Sequence, residues 1–216
     1  MADWVTISAL ASAGGTLVLA GVTVASVRSA NRAARVAEMS LLAAQRPLLV
    51  PSRLDDPIQK VGFQDDVWLV ARGGQGDAKA TDEAVYLAIA VRNVGTGIAV
   101  LHGWHLFPAI QLGPDMQPTP VENFTPLTRD LYIAPGDAGF WQGSFRDPSS
   151  EGYQEARAAV ETPRRMSIDV LYGDFEGGQR AISRFLLSPR EAEDGVRWHA
   201  SVGRHWNVDR PQPRER

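Results

Sequence analysis

The chain has 216 residues, enough for one or two domains. It is 44% apolar and 22% charged, which excludes wholesale disorder, and a net charge of −3 excludes a generic basic nucleic-acid binder, so no nucleic-acid partner is expected. With no cysteine, a disulfide scaffold, a thiolate metal site and a cysteine nucleophile are excluded as well.

Charge is unevenly distributed. Residues 1–27 carry only Asp3, residues 28–46 net +3, residues 47–200 net −7 and residues 201–216 net +2. This pattern predicts four units: a transmembrane helix over 4–27, a helical stalk over 28–46, a β domain over 47–206 and a flexible basic tail over 207–216. Only Lys60 and Lys79 are lysines among the 22 basic residues, which fits a GC-rich coding bias.

Trp4 to Val27 is a run of 24 residues without a charge. As a helix it would reach about 36 Å, longer than a hydrocarbon core of about 30 Å. Its hydroxyls can bond back to carbonyls of the preceding turn, and Trp4 stands where an interfacial aromatic is expected. A cleaved signal peptide fits less well, because the arginines follow the apolar run instead of preceding it. A buried soluble helix is the third reading, since the run is only moderately apolar. For a spanning helix the lipid bilayer is the first partner. Arg28, Arg32 and Arg35 then place the N-terminus outside and the rest of the chain in the cytoplasm.

Ser8, Ser12, Thr16 and Ala20 recur at four-residue spacing, a face that favours helix association and a homo-oligomer. Small residues are also simply common in this chain. Residues 28–46 lack Gly and Pro and are rich in helix formers, and Pro47 disfavours helix at Arg46.

Beyond Pro47 the period becomes extended. Strands are predicted over Pro47–Leu54, Val67–Arg72, Ala84–Val94 and Ile98–Pro108, the last two joined by Asn93-Val94-Gly95-Thr96-Gly97. Val85, Leu87, Ile89 and Val91 share one face, as in a half-buried antiparallel strand. Arg129–Ala134 and Ala138–Arg146 flank a Pro135-Gly136 turn of type II chemistry. Arg165–Gly173 and Gln179–Leu187 form another pair, and Val196–Trp206 is the last strand. Phe107–Thr128, with five prolines, is an irregular excursion. Ser149–Glu161 reads as one short surface helix capped by Ser149 or Ser150. The fold class is therefore mainly β: an antiparallel immunoglobulin-like β-sandwich behind a long N-terminal transmembrane and stalk helix, with one short helix inserted.

The N-terminal helix, the stalk ending at Arg46-Pro47, the Arg92–Ala99 turn, the Ala134-Pro135-Gly136 turn and Tyr172-Gly173-Asp174 together resemble a diffuse group of bacterial, largely actinobacterial, membrane-anchored proteins of unknown function. The Asn93–Ala99 hairpin also resembles turns of bacterial immunoglobulin-like adhesion or carrier domains. These motifs are turn chemistry and carry no catalytic residues across.

Candidate chemistry is sparse. His102 and His105 face opposite sides of a strand unless Gly103 hosts a bulge, while His199 and His205 share a face on an unbroken strand. Asp169, Asp174 and Glu176 are candidate paired carboxylates for acid–base work, but Asp174 and Glu176 sit in a Gly-rich hairpin turn, where acidic residues are routine, and Asp169 alternates to the outward face of the preceding strand. Arg72-Gly73-Gly74-Gln75-Gly76 lacks the Lys-Ser/Thr of a phosphate loop and reads as a flexible loop. Catalytic residues, metal ligands and cofactors are expected to be none. Trp104, Phe107, Phe140 and Trp141 form either core or an exposed stacking platform for a partner. The expected function is a single-pass, non-catalytic binding or scaffold module for an unidentified protein partner at the cytoplasmic membrane face. The alternatives are a metal-dependent or hydrolytic enzyme using the histidines, and an exported cell-envelope domain.

Overall fold

The computed structural model describes residues 3–113, 116–193 and 195–212, except for the side chains of residues 4–11 and 42–44. The chain divides into two compact units, one ending at Ala44 and one beginning at Gln45. The first is a single helix, α1 (Trp4–Ala44), which runs through the predicted span and stalk without a break and stops two residues before Arg46. Leu17, Val18, Leu19, Val22 and Val24 are all exposed on it. Thr16 Oγ1 and Thr23 Oγ1 donate to the carbonyls of Ser12 and Leu19, each at 2.8 Å, so these hydroxyls are satisfied within the helix as expected. Ser12–Leu41 is long and apolar enough to cross a membrane, a property shared by anchors and signal sequences.

The second unit is an antiparallel β body. Its elements are β1 (Leu49–Pro51), β2 (Gln59–Gly62), β3 (Trp68–Ala71), β4 (Gln75–Ala80), β5 (Val85–Asn93), β6 (Ala99–Phe107), β7 (Thr125–Ile133), β8 (Ala138–Phe145), α2 (Glu151–Glu161), β9 (Met166–Gly173), β10 (Arg180–Ala192) and β11 (Gly195–Asn207). Nine strands form one curled sheet, in the order β8-β5-β4-β11-β10-β9-β6-β7, with β1 beside the end of β5. Among the described residues the only pairs joining β4 to β11 are Gly76 with Trp198 and Gln75 with His199. Across this narrow junction the inner face of β5 and β8 (Leu87, Ile89, Trp141) packs on that of β9 and β10 (Ile168, Phe185, Leu187).

Three differences from the sequence reading have physical causes. Gln75–Ala80 is strand β4, not part of a flexible loop, because the free edge of β5 pairs with it from Gly76 to Ala80. β5 is buried on both faces rather than one. The small β2–β3 hairpin lays Val61, Leu69 and Ala71 over Tyr86, Ala88 and Ala90. β10 and β11 continue past Leu187 and before Val196 and pair as far as Ala192 opposite Gly195, each 13 residues long.

α2 starts where Ser150 Oγ accepts from the Tyr153 amide, and it buries Tyr153 and Ala156 against Val85. The turn after β5 is built around Asn93, which is fully buried. Its Nδ2 donates to the carbonyls of Gly97 (2.7 Å) and Ile133 (3.0 Å), and its Oδ1 accepts from Gly95 N and Leu48 N. Gly97 lies so close to the Gln45 carbonyl that no Cβ would fit, which explains the glycine there.

Candidate functional site

The two ends of the curled sheet, β7 and β8, follow each other in the chain through the Pro135-Gly136 turn. Gly136 takes φ +81° and Asp137 N donates to Ala134 O at 3.1 Å, as the type II chemistry predicts. The strands nevertheless form no ladder among the described residues: β7 pairs only with β6, and β8 only with β5. β7 is also irregular on its paired side. Its register on β6 jumps from Leu131 opposite Leu101 to Pro126 opposite Gly103, so residues 127–130 bulge away. A cleft of about 260 Å³ opens at this seam, lined among others by Phe63, Trp104, Pro126, Arg129, Gln142 and Arg146.

A side-chain latch replaces the missing ladder. Arg129 Nη2 donates to Gln142 Oε1 at 2.6 Å, and the guanidinium lies 5.5 Å from the Phe140 ring centroid. Gln142 is buried (7% exposed), whereas Arg129 is exposed. Gly143 shapes the floor, since a Cβ there would come within 2.9 Å of both the Trp141 and Trp104 rings. On the far wall Arg146 holds Asp65 through two hydrogen bonds, at 2.8 and 3.2 Å, and Tyr86 donates its hydroxyl to the same carboxylate. The Arg146 hydrogen bond lowers the Asp65 pKa to about 2.

The four aromatics of the expected platform do not share a surface. Trp104 and Trp141 point inward and meet edge to face, with centroids 5.6 Å apart, and both are at most 3% exposed. Phe140 lies on the outer face of β8 under Arg129. Phe107 lies at the end of β6, 4.6 Å from the Arg184 guanidinium. Strand alternation separates them; only Trp104 reaches the cleft.

The histidines occupy four different surroundings. β6 does carry a bulge: Leu101 pairs with Tyr172 and Gly103 with Leu171, leaving His102 between them. Its Nε2 would sit 2.9 Å from a Cβ at Gly173, whereas His105 Nδ1 lies 3.2 Å from the Asn123 carbonyl. β11 is not unbroken. Its register on β10 steps from Arg204 opposite Arg184 to Val202 opposite Phe185, so Gly203 is skipped and His199 and His205 fall on opposite faces. His199 is beside Gln75, Arg190 and Arg197 on an open surface. His205 turns inward, its Nδ1 2.7 Å from Ser183 Oγ. That hydroxyl is also 2.9 Å from Tyr172 Oη and donates to the Leu49 carbonyl at 3.2 Å. Burial and then the charge of Arg46 hold His205 below its ordinary pKa. Ser183 is fully buried, so this chain of hydroxyls pins β1 to the core instead of exposing a nucleophile. Among the described residues no three His, Asp or Glu side chains converge as metal ligands.

Asp169 does project to the outer face, as its alternation predicts, but it is completely buried there. Arg184 Nε and Nη2 donate to its two oxygens at 2.5 and 2.7 Å, and Thr119 donates both its amide and its hydroxyl to it. Arg184 also reaches the Gln117 carbonyl and lies between the rings of Phe107 and Trp206. The proline-rich excursion is thus fastened over β9 and β10 by an ion pair. Asp174 serves its own turn, accepting from the amides of Gly178 and Gln179.

The association residues Ser12, Thr16 and Ala20 are exposed on α1, as are Arg28, Arg32 and Arg35; the Ser8 side chain lies outside the described residues. The start of the tail makes specific contacts with the body. Asp209 pairs with Arg180 at 2.7 Å, and Gln212 exchanges hydrogen bonds with the Asn207 backbone, while Arg214 and Arg216 lie outside the described residues.

Arg129 and Gln142 escaped the sequence reading because their meaning depends on a ladder that fails to form. Pro126, which cannot donate to a ladder, was the available sign of a sheet edge. Compared with known proteins, the chain matches no family model, no curated protein and no solved structure.

Proposed function

We propose that the chain is a single-pass membrane-anchored binding or scaffold module, with its N-terminus outside and its β body at the cytoplasmic face. The observation that carries this reading is α1, whose apolar side chains from Leu17 to Val27 are exposed and need a non-aqueous environment. Arg28, Arg32 and Arg35 at one end support the orientation. Ser12, Thr16 and Ala20, with Ser8 in phase, support self-association in the bilayer. The two packed halves of the curled sheet are read as the layers of an immunoglobulin-like sandwich, and the β7–β8 cleft as its recognition site. The cleft is smaller than the roughly 300–1,000 Å³ usual for small-molecule pockets, which favours a macromolecular partner.

Alkaline carbonate washing of membranes tests the anchor: the intact chain is expected to stay in the pellet. A reporter fused after Val27 is expected to be active only in its cytoplasmic form. Release of the chain, or a mature N-terminus found beyond Val27, would replace the anchor with a cleaved signal.

A further inference from the structure

We propose that the free edge of β8 accepts an extended peptide of a partner protein as an added strand, and that a carboxylate side chain of this peptide binds Arg129. The inference deepens the recognition reading above and rests on it.

The edge itself is the first argument. In an antiparallel pair, alternate residues turn both N–H and C=O away from the neighbour. Along the eight residues of β8 these groups therefore face the seam, where no strand pairs with them among the described residues. Sheet edges are ordinarily blunted by charge, proline or a bulge. β7 shows all three in Pro126, Arg129, Asp130 and the bulge at 127–130. β8, with the sequence Ala-Gly-Phe-Trp-Gln-Gly-Ser-Phe, shows none of them. Of the two edges, β8 is the one left ready to pair.

Charge selects the occupant. Two arginines and no carboxylate line the cleft. Arg146 is neutralised by Asp65. Among the described residues Arg129 is matched only by a neutral amide oxygen and an aromatic face, and a carboxylate would bind it more strongly than either. An incoming acidic side chain would take Arg129 from Gln142 and open the latch as its backbone pairs with β8. Affinity would come from the main chain and specificity from the acid, as in other strand-addition complexes.

The test uses the full-length chain in detergent micelles and blocked peptides of about seven alternating Thr and Val residues, with a central Glu and one diazirine side chain. Photo-crosslinks mapped by mass spectrometry are expected at 125–129 and 140–144. Replacing the central Glu by Gln, or making the protein variant Arg129→Gln, is expected to weaken binding about tenfold with an unchanged melting temperature. N-methylation of alternate peptide amides is expected to abolish it. Crosslinks elsewhere or none at saturating peptide, equal binding of N-methylated peptide, indifference to Arg129→Gln, or crosslinks between two copies at the seam would each overturn the proposal. A negative result with the chain still resistant to carbonate overturns strand addition alone. Release by carbonate overturns the anchor and leaves the peptide result standing.

Discussion

Asp169 and Arg184 are paired with both side chains at most 3% exposed, and removing one member of such a pair leaves an uncompensated buried charge. Asp169→Ala should therefore lower unfolding free energy by about 3–5 kcal/mol, measured as a reduced urea midpoint. Because Thr119 and Gln117 also depend on this pair, the same variant should expose residues 108–120 to limited proteolysis. Alternation in β9 placed Asp169 on the outer face correctly. What it could not convey is that a loop returns to bury that face, since Thr119 lies 50 residues away in the chain. For Asn93 the local reading succeeded only in part: the side chain satisfies its own turn, but β5 and β6, read as a hairpin across it, form no ladder with each other among the described residues, and neither Gly95 nor Gly97 takes a positive φ.

At the level of elements, whatever depended on local period or capping was legible and whatever depended on long-range pairing was not. α2 was predicted within two residues from Ser150 and its apolar spacing. Ser150→Ala should cost about 1 kcal/mol, read from the urea midpoint, through loss of the Tyr153 amide bond. β4 was missed because Gly73, Gly74 and Gly76 look like punctuation. Gly76 is instead a strand residue in close contact with Ala88 O and Leu187, where a side chain would not fit. The β11 bulge also left no trace in the hydrophobic pattern, although it decides that Trp206 packs outward on Leu171 and Ile182 while His205 turns in. The seam is accompanied by the same kind of event, a slipped register of β7 on β6.

For the whole body, His205 and His102 are both held below their ordinary pKa, each mainly by burial and then by an arginine, Arg46 for the former and Arg180 for the latter. The folded state thus binds fewer protons than the unfolded one in this range. Stability is fully present above the unfolded histidine value of about 6.5 and is lost as pH falls below it, down to the folded values. Urea titrations across this range should show that decline, and His205→Gln should flatten part of it. The hydrogen bond between Arg46 and Asn207 has a broader consequence. It brings the point where the polypeptide enters the body beside the point where it leaves, so the two ends of this cassette are neighbours. A host protein with a tight surface turn could receive residues 45–212 as an insert, and a permuted version with these ends joined and new ones cut at the Gly177-Gly178 turn should keep the same core.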